Sequence, residues 1–244
     1  MPFQVIEPQR MYQQIANQVA GLIQQGQFKP GERLPPERDL AKEFGVSRNV
    51  VREAMVALEL VGLIEVRIGA GTFVQSNPGR ALPFVLLRQD DVGPGPFELL
   101  AVRRVVEGEI AFIAAKAATD EQLLNIRDAL IRMERDPMPY RISRNWDRIF
   151  HGRIAAATNN TVLVSIVDGM WKAMLDPMFE TFSQHTRLPE YHRMTIGDHR
   201  AILSALDRRD PAGARRAMDD HLMHVEGVLS QADDLAIAGD PEQT

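Results

Sequence analysis

Four side chains in the second half of the sequence have the types and spacing of a metal site. They are Asp147, His151, His199 and His221. Asp147 and His151 are spaced i, i+4, so on a helix both side chains lie on one face. Three imidazoles and one carboxylate suit Zn²⁺, Ni²⁺, Mn²⁺ or Fe²⁺ and leave coordination positions for water or an anion. The four residues are therefore candidate ligands of a divalent metal, with zinc as the first candidate.

The same residue types allow other interpretations. An Asp-x-x-x-His pair is more often an ion pair on a helix surface, and a single histidine in a helical bundle is more often a buried structural residue. An open metal site also suits a metal-dependent hydrolase, in which the ion activates water. A closed shell without a bound anion is expected of a structural metal in an adaptor protein. Composition and spacing alone leave these interpretations open.

The segments that must position these residues have helical periodicity, and no strand-like alternation follows Pro96. The predicted helices are Leu99–Ala118, Glu121–Glu134, Ile142–Ala157, Val162–Phe182, Thr195–Arg208 and Ala212–Ala232. Short connections favour antiparallel neighbours. Residues 98–234 are therefore predicted to form an all-helical antiparallel bundle of six to seven helices, followed by a polar tail at 235–244.

The first part of the chain, residues 9–75, has a different pattern. Apolar residues recur at helical spacing from Met11 to Gln25, two short helices follow around a turn that ends at Ser47, and strand-like runs flank Gly69. A helix, a helix-turn-helix and a hairpin in this order predict a winged helix-turn-helix with a small β-hairpin wing. The fold class is thus mainly α.

Two clusters of helix-breaking residues separate these domains. Asn77-Pro78-Gly79 and the segment from Val92 to Pro96 are typical of turns and loops. A short apolar stretch, Leu82 to Leu87, lies between them. We predict a linker over residues 76–97 that contains one short helix.

Polar residues at the start of the third helix have the chemistry to read DNA. Arg48, Asn49 and Arg52 alternate with inward-facing valines, and the first turns of such a helix enter the major groove. Arginine bonds guanine edges in bidentate fashion, and asparagine does the same for adenine. Arg38 and the backbone amides near Ser47 are placed to reach phosphate. The alternative is that these are ordinary solvated side chains, but three on one exposed turn favour DNA contact.

Charge and composition do not argue against a DNA partner. The net charge is −5, yet residues 1–76 carry eight basic and eight acidic side chains, so the acidic excess lies in the remainder. DNA docking needs only a local basic face. No cysteine is present, which excludes disulfides and thiolate ligands. With neither a secretion signal nor a membrane span in the sequence, we expect a cytoplasmic protein without a membrane partner.

Residues 9–75 resemble the DNA-binding domain of the GntR regulator superfamily. The resemblance lies in four stretches: Pro30-Gly31-Glu32-Arg33-Leu34-Pro35-Pro36-Glu37-Arg38, Gly45-Val46-Ser47-Arg48, Val51-Arg52-Glu53-Ala54 and Gly69-Ala70-Gly71-Thr72-Phe73-Val74. It implies that Arg38, Arg48, Asn49 and Arg52 occupy DNA-contacting positions. It also implies that Gly69 lies at the tip of the wing.

The second domain resembles the effector domain of the FadR-type branch, called the FCD domain. The matching stretches are Asp147–His151, Asp198–Leu206 and His221-Leu222. In metal-binding members, the aspartate and three histidines at these positions are the ligands. The resemblance places Arg103 and Asn160 in an effector pocket, although Arg103 also has the spacing of a simple intrahelical pair with Glu107. Trp171-Lys172 and residues 176–185 are most similar to the branch that senses sugar acids such as hexuronates and aldonates.

These predictions combine into one mechanism for a transcription regulator that is not an enzyme. A homodimer places two recognition helices on a palindromic operator in double-stranded DNA and represses a promoter. A small carboxylate completes the coordination of the metal while Arg103 balances the second charge. The ligand changes DNA binding because it favours an arrangement of the heads that does not span the half-sites.

Overall fold

The structure, a computed structural model, describes residues 10–67, 69–75, 93–135, 143–174, 178, 181 and 188–230. Nine helices and one two-stranded sheet are named below from these residues. The chain divides into two compact units. We call the part up to Pro96 the head, and the part that comprises Phe97–Leu175 and Thr186–Ala232 the effector unit.

Three helices form the core of the head: α1 (Met11–Gln24), α2 (Glu37–Phe44) and α3 (Arg48–Leu60). The apolar face of α1 packs on α3 and buries the side chains of both. Gly45 ends α2 with a φ of +66°, a conformation that glycine adopts without steric cost. Ser47 then caps α3, because its hydroxyl accepts a hydrogen bond from the amide of Val50 at 3.4 Å. The turn that ends at Ser47 thus leads directly into α3.

The wing is an antiparallel hairpin of β1 (Ile64–Arg67) and β2 (Gly71–Val74), with Ile64 opposite Val74. Residues 31–34 hydrogen-bond to the other edge of β2. Gly69, in the turn, has a φ of +85°. Together with the three helices, this hairpin confirms the predicted winged helix-turn-helix.

The effector unit is all-helical within the described residues. Its helices are α4 (Pro96–Ala117), α5 (Asp120–Glu134), α6 (Ser143–Ala156), α7 (Thr161–Ala173), α8 (Leu188–Asp207) and α9 (Pro211–Ser230). Consecutive helices α5, α6 and α7 pack side by side, α8 packs on α9, and α5 also packs on α8. Their shared core includes Ile126, Phe150, Ile202 and Leu222, all fully buried. The predicted helical bundle is confirmed.

Two helix boundaries differ from the sequence-based prediction by more than three residues. α7 ends at Ala173 rather than Phe182. A helix over that whole range would include Pro177, which has no amide to donate and clashes with the preceding turn. α8 begins at Leu188 rather than Thr195, since proline at position 189 suits the first turn of a helix. The predicted linker helix, Leu82–Leu87, and the polar tail lie outside the described residues. None of the helices in the described ranges is long and apolar enough to cross a membrane.

Candidate metal centre and DNA-binding surface

Three helices of the effector unit bring the four predicted metal ligands together. α6 carries Asp147 and His151 on one face, α8 carries His199, and α9 carries His221. One donor atom from each residue lies within 4.8 Å of the others. The three imidazoles are buried, whereas the Asp147 side chain is 24% exposed. The cluster thus has a dry side and a side near solvent.

Asp147 lies at the centre of this cluster. Its Oδ1 atom is 2.9 Å from Nε2 of His199 and 3.3 Å from Nε2 of His151. The ring of His221 is 4.4 Å from that of His199 and 5.4 Å from that of His151, measured between centroids. The cluster therefore draws its donors from residues far apart in sequence.

Oxygen atoms hold the other nitrogen of two of the rings and lie near that of the third. Nδ1 of His151 contacts a carboxylate oxygen of Glu107 on α4. Nδ1 of His199 donates to the backbone carbonyl of Thr195 at 2.5 Å, and Nδ1 of His221 is 3.6 Å from Oδ2 of Asp198. Histidines that bind metals usually have their second nitrogen fixed in this way, because the contact sets the tautomer and the ring orientation.

Glu107 and Asp198 were not among the predicted site residues. Asp198 directly precedes His199, and Glu107 is spaced i, i+4 from Arg103, so both stand beside predicted residues in the sequence. Their role depends on which side chains α4 and α8 bring next to the imidazoles. The spacing of residues along the chain does not indicate which side chains will lie next to the imidazoles.

The electrostatics of the cluster favour a cation. Burial raises the pKa of Glu107, but Arg103 and His151 outweigh it and lower the pKa to about 2. Burial likewise raises the pKa of Asp147, and the close imidazoles of His151 and His199 hold it well below its usual value. Burial and repulsion from His199 lower the pKa of His221 to about 3. Two ionised carboxylates thus accompany an imidazole that stays neutral.

The donor set fits a divalent metal ion. Nε2 of His151 is buried and makes no well-aligned hydrogen bond to any part of the chain that the structure describes. Burying a polar atom without a hydrogen-bond partner is costly. A cation bound between the imidazole lone pairs and the Asp147 carboxylate removes that cost. Three nitrogen donors and one oxygen donor match zinc and its neighbours in the first transition row.

Arg103 lies next to this cluster, in a buried position. Its guanidinium donates through Nε to Oε1 of Glu107 at 2.6 Å, and both side chains are 2% exposed. The guanidinium carbon is 4.5 Å from the centre of the Trp171 ring, which is itself 5.5 Å from the His151 ring. The intrahelical pair with Glu107 therefore exists, but it is part of the buried surroundings of the metal ligands.

Asn160 caps a helix of the effector unit. Its side chain is exposed, and Oδ1 accepts hydrogen bonds from the amides of Val162 at 3.0 Å and Leu163 at 3.4 Å. This is an N-cap of α7, a position at which asparagine is strongly preferred. The role of Asn160 in an effector pocket stays a prediction.

The predicted DNA-binding residues of the head lie mainly on one side of α2 and α3. Arg48 and Asn49 begin α3 and are half-buried. The Arg38 side chain is 70% exposed and makes one contact, 3.4 Å long, with Asp39 beside it. Ser47 is exposed at the N-terminus of α3, where backbone amides point outward. Gly69 is exposed in the turn of the wing.

Arg52 departs from this arrangement. It was predicted on the exposed turn of α3, but it is only 5% exposed. Its guanidinium contacts the carboxylate of Glu37 on α2, with Nε–O distances of 3.1 and 3.2 Å and an Nη2–O distance of 2.9 Å. Arg52 lies one turn after Arg48, where α3 faces the first turn of α2. The structure therefore contradicts the predicted exposure of Arg52.

Both units match known protein families. Residues 11–74 match the family described as "Bacterial regulatory proteins, gntR family", and residues 98–224 match the FCD domain. The chain belongs to the GntR family. Its DNA-binding domain is therefore joined to an FCD effector domain, as the sequence resemblance indicated.

Two relatives that are named as transcriptional regulators agree with this assignment. The chain is 39% identical to the Uxu operon transcriptional regulator of Escherichia coli K12, over 95% of this chain and 92% of the relative. It is 37% identical to the Exu regulon transcriptional regulator of the same strain, over 93% and 87%. A solved structure, Streptococcus agalactiae GntR, covers 88% of this chain and 99% of its own, with 25% identity and a TM-score of 0.45.

These matches decide between the functional classes that the sequence had left open. Both matched domains belong to transcription regulators, and both relatives are named as regulators of transcription. The GntR-family chain is thus a DNA-binding transcription regulator with an effector domain. The alternative of a hydrolase is set aside.

Proposed function

We propose that this GntR-family protein is a repressor whose binding to a palindromic operator is controlled by a sugar acid bound at a divalent metal. The observation that carries the proposal is the convergence of Asp147, His151, His199 and His221 inside the effector unit. The relatives named for the Uxu operon and the Exu regulon support control of an operon.

The metal would be held by one carboxylate oxygen and three Nε2 atoms, with zinc as the first choice. Four protein donors leave positions for further ligands on an ion that accepts five or six. Asp147, the only partly exposed member of the set, marks the side from which a small anion would reach the ion. When bound, the metal supplies a Lewis acid that a carboxylate can ligate.

Arg103 would support the acid from within the bundle. Its position against Trp171 and Glu107 places a permanent positive charge beside His151. Glu107 orients that charge and holds His151 at the same time. A change at the metal thus reaches α4 through one continuous chain of contacts.

In the head, Arg48 and Asn49 would read base edges, while Arg38 and the amides near Ser47 hold phosphate. Gly69 would bring the wing tip close to the DNA backbone. Arg52 would contact DNA only by exchanging its pair with Glu37 for a base or a phosphate. A homodimer would place two such heads on the half-sites of the palindrome.

The proposal is tested by measuring operator binding with and without metal and acid. An operator is selected from random DNA duplexes with the full-length protein, and its affinity is measured by fluorescence anisotropy. In the zinc-loaded protein, at least one of D-glucuronate, D-galacturonate and D-gluconate should weaken operator binding by about 5- to 150-fold, the usual range of allosteric coupling.

Two controls separate the parts of the proposal. The effect of the acid should vanish after chelation and in His199→Ala, while unliganded operator binding persists. An equal effect without metal would exclude the metal from sensing. No response to any of the three acids in the zinc-loaded protein would exclude the sugar-acid effector. X-ray absorption spectra at the zinc edge that stay unchanged when the acid is added would favour a structural metal instead.

A further inference from the structure

Trp171 has a buried donor that the described part of the chain does not use. The side chain is 3% exposed, and its Nε1 atom has no hydrogen-bond partner among the residues that the structure describes. An indole nitrogen only donates, so its partner must be an acceptor. Leaving a buried donor without a partner is costly. An effector bound beside Trp171 can supply that acceptor.

The surroundings of Trp171 place this donor beside the metal centre. Its ring is 5.5 Å from His151, one of the four candidate ligands. Arg103 lies over the same ring at 4.5 Å and is joined to His151 through Glu107. The indole ring therefore lies beside the candidate metal ligands, where an effector that binds there would reach it.

The chemistry of the neighbours indicates which kind of oxygen would accept this bond. Charged groups already surround the site: a bound metal would take a carboxylate, and Arg103 would supply a second charged contact. A neutral indole N–H adds little for a carboxylate that the metal already holds. It suits a hydroxyl oxygen further along the same molecule, which accepts one hydrogen bond without bringing a charge into a buried site.

We infer that Trp171 is a specificity-determining residue whose indole N–H donates to a hydroxyl group of the effector. The inference rests on the proposed function, because it assumes that a sugar acid binds at the metal. This hydrogen bond would select polyhydroxy acids over fatty or dicarboxylic acids of similar size that lack hydroxyl groups. A site that is built to bond a hydroxyl disfavours an analogue that lacks it, since the buried donor is then left without a partner.

The test uses the zinc-loaded, full-length protein and isothermal titration calorimetry. The chain has two tryptophans, so Trp171→Phe has a matched control in Trp146→Phe. Trp146 lies on α6 under Arg132, and its side chain is partly exposed. The probes are zinc alone, D-glucuronate, D-galacturonate, D-gluconate, and hexanoate as a six-carbon acid without hydroxyls.

Trp171→Phe should weaken the tightest sugar acid about 10-fold and leave hexanoate and zinc within twofold of the wild-type values. Trp146→Phe should bind all probes as the wild type does. Sugar-acid binding within twofold of wild type in Trp171→Phe would overturn the inference and leave the proposed function standing. If the wild-type protein binds none of the three sugar acids, the proposed function fails, and the inference fails with it.

A second measurement covers the case in which Trp171→Phe does not fold. In Trp146→Phe, Trp171 is the only indole, so its emission reports on this site alone. A saturating sugar acid should shift that emission, whereas hexanoate should not. Unchanged emission at a sugar-acid concentration that calorimetry shows to be saturating would overturn the inference.

Discussion

The head carries its predicted functional residues at or near its surface, whereas the effector unit carries them in its interior. In the head, Arg38, Arg48 and Asn49 lie at or near the surface of α2 and α3, over a core that is almost entirely apolar. In the effector unit, three histidines, Arg103 and Glu107 are buried among helices. A surface that binds DNA can change without loss of fold, whereas a buried site ties ligand binding to stability.

Among the described residues, each unit also contains an arginine–glutamate pair that is largely buried, and the two pairs differ in depth. The side chains of Arg103 and Glu107 are both 2% exposed, while those of Arg52 and Glu37 are 6% and 12% exposed. The deeper pair lies within one helix beside the metal ligands, and the shallower pair joins two helices of the head. Mutations that remove one partner at a time would measure this difference.

The largest effect is expected for Arg103→Met, which leaves the buried carboxylate of Glu107 without its guanidinium partner. The free energy of unfolding of the effector unit should fall by about 3–5 kcal/mol. Urea denaturation followed by tryptophan fluorescence measures it, because both tryptophans lie in this unit. The control is Arg104→Met, whose partly exposed pair with Asp219 should contribute less than about 1 kcal/mol. Equal losses in both variants would remove the contrast between buried and exposed pairs.

Metal removal should have the next largest effect. With free zinc at about 100 times its Kd, chelation should lower the free energy of unfolding by about 2.7 kcal/mol. His221→Ala should abolish the difference between zinc and chelator, whereas His224→Ala, whose side chain is half exposed, should retain it. Denaturation curves and metal content by mass spectrometry measure both quantities. Full zinc stabilisation in His221→Ala would exclude His221 from the ligand set.

In the head, Arg52→Met should cost about 1.5–3 kcal/mol of stability, the contribution of hydrogen bonds to a charged group. Arg38→Ala, at an exposed site, should stay within about 0.5 kcal/mol of wild type. It should instead weaken operator binding and reduce the salt dependence by about one phosphate contact. Thermal unfolding and anisotropy at several salt concentrations separate the two effects. If Arg52→Met is as stable as the wild type, the pair between Arg52 and Glu37 does not stabilise the head.

The smallest expected effects concern the two helix caps. Ser47→Ala and Asn160→Ala should each lower stability by about 1 kcal/mol, because each leaves N-terminal amides of a helix unpaired. Ser47→Ala should also weaken operator binding, since it loosens the start of α3. Asn160→Ala should leave sugar-acid affinity unchanged in calorimetry. A clear loss of sugar-acid affinity in Asn160→Ala would support the prediction that Asn160 lines the effector pocket.

Much of this molecule was predictable because the relevant signals are local. The cap at Ser47 and the turn at Gly69 depend on the preferences of single residues and their neighbours. The pairing of Asp147 with His151 follows from the helical repeat. The end of α7 was predicted too late because the helical periodicity was extended through a segment that contains Pro177.

Other features depended on distant parts of the chain. Arg52 has the sequence position of a surface residue, but α2 brings Glu37 against it. Asp198 and Glu107 reach the imidazoles only because α4 and α8 place them there. These contacts join residues far apart in sequence, so neither periodicity nor composition carries information about them.

By itself, the sequence determined the winged head, the helical bundle and the four residue types that can bind a metal. Hydrophobic periodicity and turn chemistry act over a few residues and are visible in the order of amino acids. Only the tertiary structure decided that three separate helices bring donor atoms of those four side chains within 4.8 Å of one another. It also decided that Arg103 and Trp171 lie beside them, because helix packing sets the distances between segments that the sequence keeps apart.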